Sequence, residues 1–356
     1  MHYNQLIIGQ GLAGSLLAHQ LMQQQQTVLV IDEGLNNTSS RVAAGMFTPI
    51  SGKRMVKSWM VDELYPIMQQ TYTELETLLG VTFLTNQNIQ LSFASIKEQN
   101  DFYSALTDKI SGYVLEHIKP NPGIKAPFGA VEINQSGWLN TVKFLDSFRA
   151  YLEQKNSFWL HQFNHNELKQ ENNLWHYTQH TFDSVVLCMG YRNKQSYLFS
   201  HIPIIDNKGD VFKLKTDVLN GEKIFKRGCY AVNLNQNEFK VGSTYKWDND
   251  DTTPTAQGFE ELNTKTQALI NGKYEVLEHY VGIRPTTKDR RPILGKHNHY
   301  KNAFIFNGLG TKGVMIAPYF SKLMANYILH DIDLDKTILA DRFLFDTIID
   351  EYSTKL

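Results

Sequence analysis

The amino-acid sequence predicts an α/β fold, α+β overall, and three observations carry that expectation. An apolar strand closes on a Gly-x-Gly-x-x-Gly turn and is answered by a second apolar strand ending in an acid. Another glycine-rich turn joins a strand to a helix near the far end of the chain. Between the segments of β/α pattern lies strand-rich material that reads as antiparallel.

The first observation is the run from Leu6 to Gly14, LIIGQGLAG, answered by Val28-Leu29-Val30-Ile31-Asp32. Strand, glycine turn, helix, strand and acid in this order form the fingerprint of a dinucleotide-binding unit. Gly9 permits the tight turn, Gly11 lets the backbone approach a pyrophosphate, and Gly14 lets helix pack on strand. The helix N-terminus offers N–H groups and the positive end of its dipole. Asp32 stands where a carboxylate accepts hydrogen bonds from a ribose diol. A Rossmann-like domain with a bound adenine dinucleotide follows.

The remaining elements read in order. Residues 58–79 place Trp59, Leu64, Ile67, Met68, Tyr72, Leu75 and Leu79 near helical spacing. A mixed region over 81–135 holds the strand-like Ile89-Gln90-Leu91-Ser92-Phe93 and is punctuated by Pro120, Pro122 and Pro127. A helix is expected over 139–154, then strands at 158–160, 174–177 and 184–190, the last ending in Gly190. Residues 202–247 read as antiparallel strands, 254–270 as a helix, 303–306 as a strand and the stretch to about 329 as a helix. The simplest assembly is a Rossmann-like nucleotide-binding domain of three segments, 1–75, 139–200 and 282–356. An antiparallel, sheet-rich substrate domain is inserted as 76–138 and 201–281.

Bulk properties narrow the class. The chain has 356 residues and a formal net charge of −1, so no global field draws it to nucleic acid or an anionic membrane. Its 2 cysteines, Cys188 and Cys229, make no disulfide framework and fit a reducing compartment. No apolar run approaches the length of a membrane span, and a cytoplasmic location is expected. His161 with His165, and His176 with His180, lack the intervening Glu of a zinc protease helix, and no metal site is expected.

The second glycine-rich turn, Gly308-Leu309-Gly310-Thr311-Lys312-Gly313, sharpens the cofactor. A nicotinamide enzyme has little need of a second helix N-terminus at its far end. A flavin does, because reduction places negative charge on its ring. Lys312 adds to that charge or points to solvent.

With these motifs on the page, the chain resembles the FAD-dependent D-amino acid oxidase superfamily, the group of glycine oxidase, sarcosine oxidase and D-amino acid dehydrogenases. Besides the two glycine turns, the resemblance rests on Ser39-Ser40-Arg41-Val42-Ala43-Ala44-Gly45-Met46, on Val185 to Gly190, and on Cys229-Tyr230-Ala231-Val232 leading to Val241-Gly242-Ser243-Thr244. It rests also on Gly282-Ile283-Arg284-Pro285 running on to Gly295. It implies FAD contacts at Gly9, Gly11, Leu12, Ala13, Gly14 and Asp32, at Ser39, Ser40, Gly45 and Met46, at Gly190, and at Gly308, Gly310, Thr311, Lys312 and Gly313. It implies that Arg284 grips a substrate carboxylate and that Tyr230 lines the pocket. An Arg284–Asp289 ion pair is the competing reading of that arginine. No cysteine matches the position of a covalent flavin link, so the FAD is expected to be noncovalent.

The implied reaction oxidises a C–N bond by hydride transfer to flavin N5 and hydrolysis of the imine, with oxygen or another acceptor taking the electrons. The substrate is a small amine or amino acid: glycine, an N-methylglycine or a D-amino acid. Two alternatives stay open. The Gly308 loop also resembles that of the oxidase domain of the bifunctional bacterial enzyme that matures wobble uridine in tRNA, whose substrate group is a glycine derivative. Lys53, Arg54 and Lys57 with Lys288, Arg290 and Arg291 would form a basic rim for the RNA, or simply a solvated surface. A flavin-binding protein with little turnover is the third reading. Oligomeric state and electron acceptor are not legible.

Overall fold

The computed structural model describes residues 1–51, 55–116, 118–247 and 251–343. The chain forms two compact units, one of residues 1–41, 145–207 and 283–356, the other of residues 42–144 and 208–282.

The first unit is built on a parallel sheet. Strand His2–Ile8 lies between Val28–Asp32 and His180–Leu187, and Phe158–Leu160 extends the sheet beyond Val28–Asp32. On the other side, Val185, Val186 and Leu187 pair in parallel with Ala303, Phe304 and Ile305. The start of His180–Leu187 instead pairs antiparallel with Leu174–Tyr177, and Ile293–Lys296 runs antiparallel to Ala303–Asn307. Where these strands meet at the sheet centre, Leu6–Ile8, Val28–Ile31 and Val185–Leu187 are apolar and buried, because both faces are covered there. Leu6, Ile8, Leu29, Ile31, Val185 and Leu187 share one core with Trp175, Tyr177 and Phe182. Helix Leu12–Gln23 buries Leu16, Leu17 and Leu21 completely, and helix Gly313–His330 packs against it. Strand order reverses at His2–Ile8, and the crevice at the carboxyl end of such a strand is where open α/β sheets bind ligands.

The second unit carries a larger, mainly antiparallel sheet. Its strands run Lys246–Trp247, Ile205–Lys215, Glu238–Gly242, Cys229–Asn235, Ile224–Arg227, Ile89–Ser92, Ala130–Ile133 and Val114–Leu115 in spatial order. Strand Glu275–Thr286 also pairs with Ile205–Lys215. The pairing of Ile224–Arg227 with Ile89–Ser92 is parallel. Each face has its own core. One contains Leu91, Val131, Ile224 and Val232, the other Phe212, Phe225, Phe239 and Leu262.

Two expectations are corrected here. Helix Val61–Leu79, expected in the nucleotide-binding segment, belongs to the second unit. The reason is aromatic packing: Tyr72 is fully buried, with its ring 6.4 Å from Phe83 and 5.7 Å from Phe144. The region over 81–135 also contains an unexpected helix, Ile96–Ala105. Ser95 caps it by accepting from Glu98 N at 3.1 Å, while the Glu98 carboxylate accepts from Ala94 N at 2.7 Å. Ser-x-x-Glu at this spacing is a sequence signal for a helix start, although here the carboxylate reaches one residue past the cap, to Ala94 N.

Candidate functional site

The crevice of the first unit is shaped by glycines that leave no room for a side chain. Gly9 has φ 103°, and a Cβ there would stand 2.6 Å from the Cys188 carbonyl oxygen. A Cβ on Gly14 would lie 1.9 Å from the Gly9 carbonyl oxygen. Gly11 caps helix Leu12–Gln23 without a side-chain hydrogen bond, and no acid occupies the first turn. Ser40 stands over this helix start: its Oγ accepts from Leu12 N at 3.2 Å and is 3.0 Å from where a Gly11 Cβ would be.

Asp32 ends its strand as expected, but its carboxylate is already engaged. Oδ2 accepts from Gln10 N at 2.7 Å, and Oδ1 accepts from Gly34 N at 2.7 Å and from Arg149 at 3.4 Å. Arg149 also donates to Gln10 Oε1 at 2.9 Å and lies over the Phe158 ring. Buried Gln10 in turn donates to the Leu145 carbonyl at 2.8 Å. Neither Gln10 nor Arg149 is visible in the motif, because their roles arise between residues far apart in sequence.

The second glycine turn sits in the same unit. Gly308 and Gly310 have φ of 72° and 55°. Asn307 binds two of the expected positions together, donating to the Gly190 carbonyl at 2.9 Å and accepting from Gly308 N at 2.8 Å. Gly310 N donates to the Pro285 carbonyl at 2.9 Å, which fastens the loop next to Arg284. Lys312 caps helix Gly313–His330, again with no acid in the first turn, and Thr311 is exposed. The two helix starts are neighbours: a Cβ on Gly313 would be 3.2 Å from Leu12 Cδ1.

Arg284 is half-buried and donates from NH1 to Asn207 Oδ1 at 2.7 Å. The competing Arg284–Asp289 pair does not form, because Asp289 is bound by Arg342 at 2.9 Å. Burial alone would raise the Asp289 carboxyl, but hydrogen bonds from Arg342 and Arg291 N outweigh it and hold the group below its ordinary value.

In the second unit, the absence of a side chain at Gly45 is explained by its close pass to strand Gly137–Leu139. A Cβ would lie 2.0 Å from the Leu139 carbonyl oxygen, and Leu139 N donates to the Gly45 carbonyl at 3.0 Å. Met46 pairs with Trp138. Tyr230 is half-buried and opposite Gly242, where a Cβ would meet its hydroxyl at 2.8 Å. Sequence reasoning missed two lysines on the same sheet face, Lys226 opposite Tyr230 and Lys240 opposite Val232. Burial pushes both amines down. Lys240, 9% exposed and donating to the Ala43 carbonyl at 3.0 Å, falls to about 8 despite the opposing charge of Glu278. For Lys226, burial likewise outweighs Glu98.

The expected basic rim has fewer members to show. Lys53 and Arg54 lie outside the described residues. Lys57 is paired with Asp62 at 2.5 Å, while Lys288 and Arg290 are exposed. Among the described residues no group of three or more His, Cys, Asp or Glu is arranged to hold a metal ion, and no helix is long and apolar enough to cross a membrane.

A parallel sheet with two neighbouring helix starts is the frame of a dinucleotide-binding protein. The family model described as "DAO: FAD dependent oxidoreductase" matches residues 5–327. The chain belongs to that family, is an FAD-dependent oxidoreductase and takes FAD as its cofactor. It is 20% identical to glycine oxidase of Bacillus subtilis (strain 168) over 92% of this chain and 94% of that protein. It is 22% identical to the tRNA 5-methylaminomethyl-2-thiouridine biosynthesis bifunctional protein MnmC of Legionella pneumophila (strain Corby), over 97% of this chain and 58% of that one. The crystal structure of glycine oxidase from Geobacillus kaustophilus is similar with a TM-score of 0.77 at 19% identity, covering 94% of this chain and 96% of that chain.

Proposed function

We propose that this chain oxidises the C–N bond of a small amino acid or secondary amine: glycine, an N-methylglycine or a D-amino acid. The observation that supports this most directly is Arg284, half-buried, oriented by Asn207 and not claimed by Asp289. A planar guanidinium suits a carboxylate through two parallel hydrogen bonds. Bound FAD would supply the oxidant for the C–N bond, and water would hydrolyse the imine so formed.

The chain's own residues hold and orient. Gly9, Gly11, Leu12, Ala13 and Gly14 offer the diphosphate a helix start with no acid in its first turn, where the Ser40 hydroxyl, which holds Leu12 N, can rotate aside. Ser40 brings a hydroxyl to that start, and its neighbour Ser39 is assigned to the same end of the cofactor. Asp32 takes the ribose. Three donors fix its carboxylate, which has about four acceptor positions, so one remains for a hydroxyl. Gly45 and Met46, Gly190, and the loop of Gly308, Gly310, Thr311, Lys312 and Gly313 are assigned to the rest of the cofactor. The positive helix end beside Lys312 would stabilise negative charge on a bound flavin ring. Arg284 fixes the substrate carboxylate, and Tyr230 bounds the substrate side. The FAD is noncovalent: Cys188 and Cys229 are both buried, and burial pushes both thiols up, the second to about 12. Two free cysteines also fit a cytoplasmic location. The electrons leave to oxygen or another acceptor.

The likeness to MnmC over nearly the whole chain supports a second substrate, a carboxymethylaminomethyl group on tRNA wobble uridine, oxidised by the same chemistry. An anaerobic titration of the yellow holoprotein separates the readings. Bleaching of the flavin band by a member of an amino-acid panel supports the small-molecule reading. Bleaching only by tRNA carrying the modified uridine, with binding that weakens steeply as salt rises, supports the second. Bleaching by neither, with the band still lost to dithionite, leaves a flavin-binding protein with little turnover.

A further inference from the structure

Asn207 is fully buried, yet only half of its amide is used. Its Oδ1 accepts from Arg284 at 2.7 Å, while Nδ2 is buried with no hydrogen-bond partner among the described residues. A guanidinium can only donate, so the amide must turn its oxygen to Arg284 and its NH2 away. A donor stranded in this way destabilises the fold, and a position chosen for packing alone would carry an apolar side chain.

A carboxylate is the other usual partner of a buried arginine, and the chain places one next door. Asp206, also buried, is instead paired with Lys194 at 2.9 Å. The backbone on the far side of Arg284 is pinned as well. Thr286 Oγ1 donates to the Ile205 carbonyl at 2.6 Å, and Gly310 N donates to the Pro285 carbonyl. With the backbone held, the direction of the guanidinium depends on its side-chain contacts. At this contact a neutral acceptor orients one N–H edge without bringing a negative charge to it. Asp at 207 would supply the same geometry and also compete with any anionic ligand.

We infer that Asn207 is a positioning residue that presents Arg284 to the substrate carboxylate while adding no charge of its own. This rests on the reading of Arg284 as the carboxylate grip. The test compares wild-type holoprotein with Asn207→Asp, Asn207→Ser and Arg284→Ala. The substrate is the panel amino acid that bleaches the flavin band fastest, and the non-reacting probe is sodium acetate, read by its perturbation of the flavin absorption.

Asn207→Asp is expected to raise both KM and the acetate Kd about ten- to a hundredfold, with bound FAD unchanged and kcat within a few-fold. Asn207→Ser, which loosens the contact without charging it, falls between wild type and Asp and carries the test if the Asp variant does not fold. Impaired Arg284→Ala with wild-type KM and acetate binding in both Asn207 variants overturns the positioning role alone. Unchanged KM and acetate binding in Arg284→Ala overturns the carboxylate reading, and this inference with it.

Discussion

Lys240→Met offers a quantitative check on the buried face around Tyr230. Lys240 is 9% exposed, and burial lowers its amine from an ordinary 10.5 to about 8. A folded-state value below the unfolded one means that, between these two pH values, the unfolded chain holds more protons. Stability therefore rises with pH through that window. Below about 8 the lysine is charged in both states, and the full burial penalty is present. Above about 10.5 it is neutral in both, and the penalty is gone. Between about 8 and 10.5, at 1.36 kcal/mol per pH unit, the penalty amounts to roughly 3 kcal/mol. The Ala43 carbonyl contact and the Glu278 charge are already inside that net value. Methionine fills a similar volume and does not titrate. Urea unfolding of wild type and variant, followed by circular dichroism from pH 7.5 to 10.5, isolates the effect, since other groups cancel in the difference. Wild-type stability is expected to gain about 3 kcal/mol on the variant across the window. Parallel curves would show that Lys240 titrates as an exposed lysine and refute the argument.

Other perturbations follow from the same geometry. Gly11→Val puts a branched side chain at the helix start, against a Ser40 hydroxyl that can rotate aside. The variant is expected to keep its circular dichroism spectrum and lose FAD retention, and normal flavin content would contradict the cradle. Gly258→Ala is expected to destabilise by about 1–3 kcal/mol in urea unfolding. Its Cβ would lie 2.4 Å from Asp210 Oδ1. That carboxylate cannot swing away, being held by Thr244 at 2.5 Å and His279 at 2.8 Å. Arg284→Ala should raise KM for a carboxylate substrate strongly while FAD stays bound, and unchanged kinetics would remove the grip.

The parts of this molecule legible in its sequence are those whose geometry is local. Gly9, Gly11 and Gly14 lie within six residues, so their spacing alone implies a strand, a turn and a helix start. The Gly308 turn is legible for the same reason. Asn207, Arg149 and Lys240 were invisible because each acquires its role from a partner distant in the chain: Arg284, Gln10 and Ala43. Helix Ile96–Ala105 is a different case. It buries only Phe102, so hydrophobic periodicity is faint, yet Ser95 and Glu98 announce its start. The division between units was misplaced at helix Val61–Leu79 because periodicity marks an apolar face without naming what covers it. Phe83 and Phe144 do so here.

Oxidation of an amino acid C–N bond is tested most directly by mixing the holoprotein with amino acids without oxygen, following the flavin band and released ammonia together. The account predicts that at least one small amino acid bleaches the band and that one ammonia or amine is released per flavin reduced. A band that every amino acid leaves intact while dithionite removes it, or bleaching without release of ammonia or amine, would contradict it.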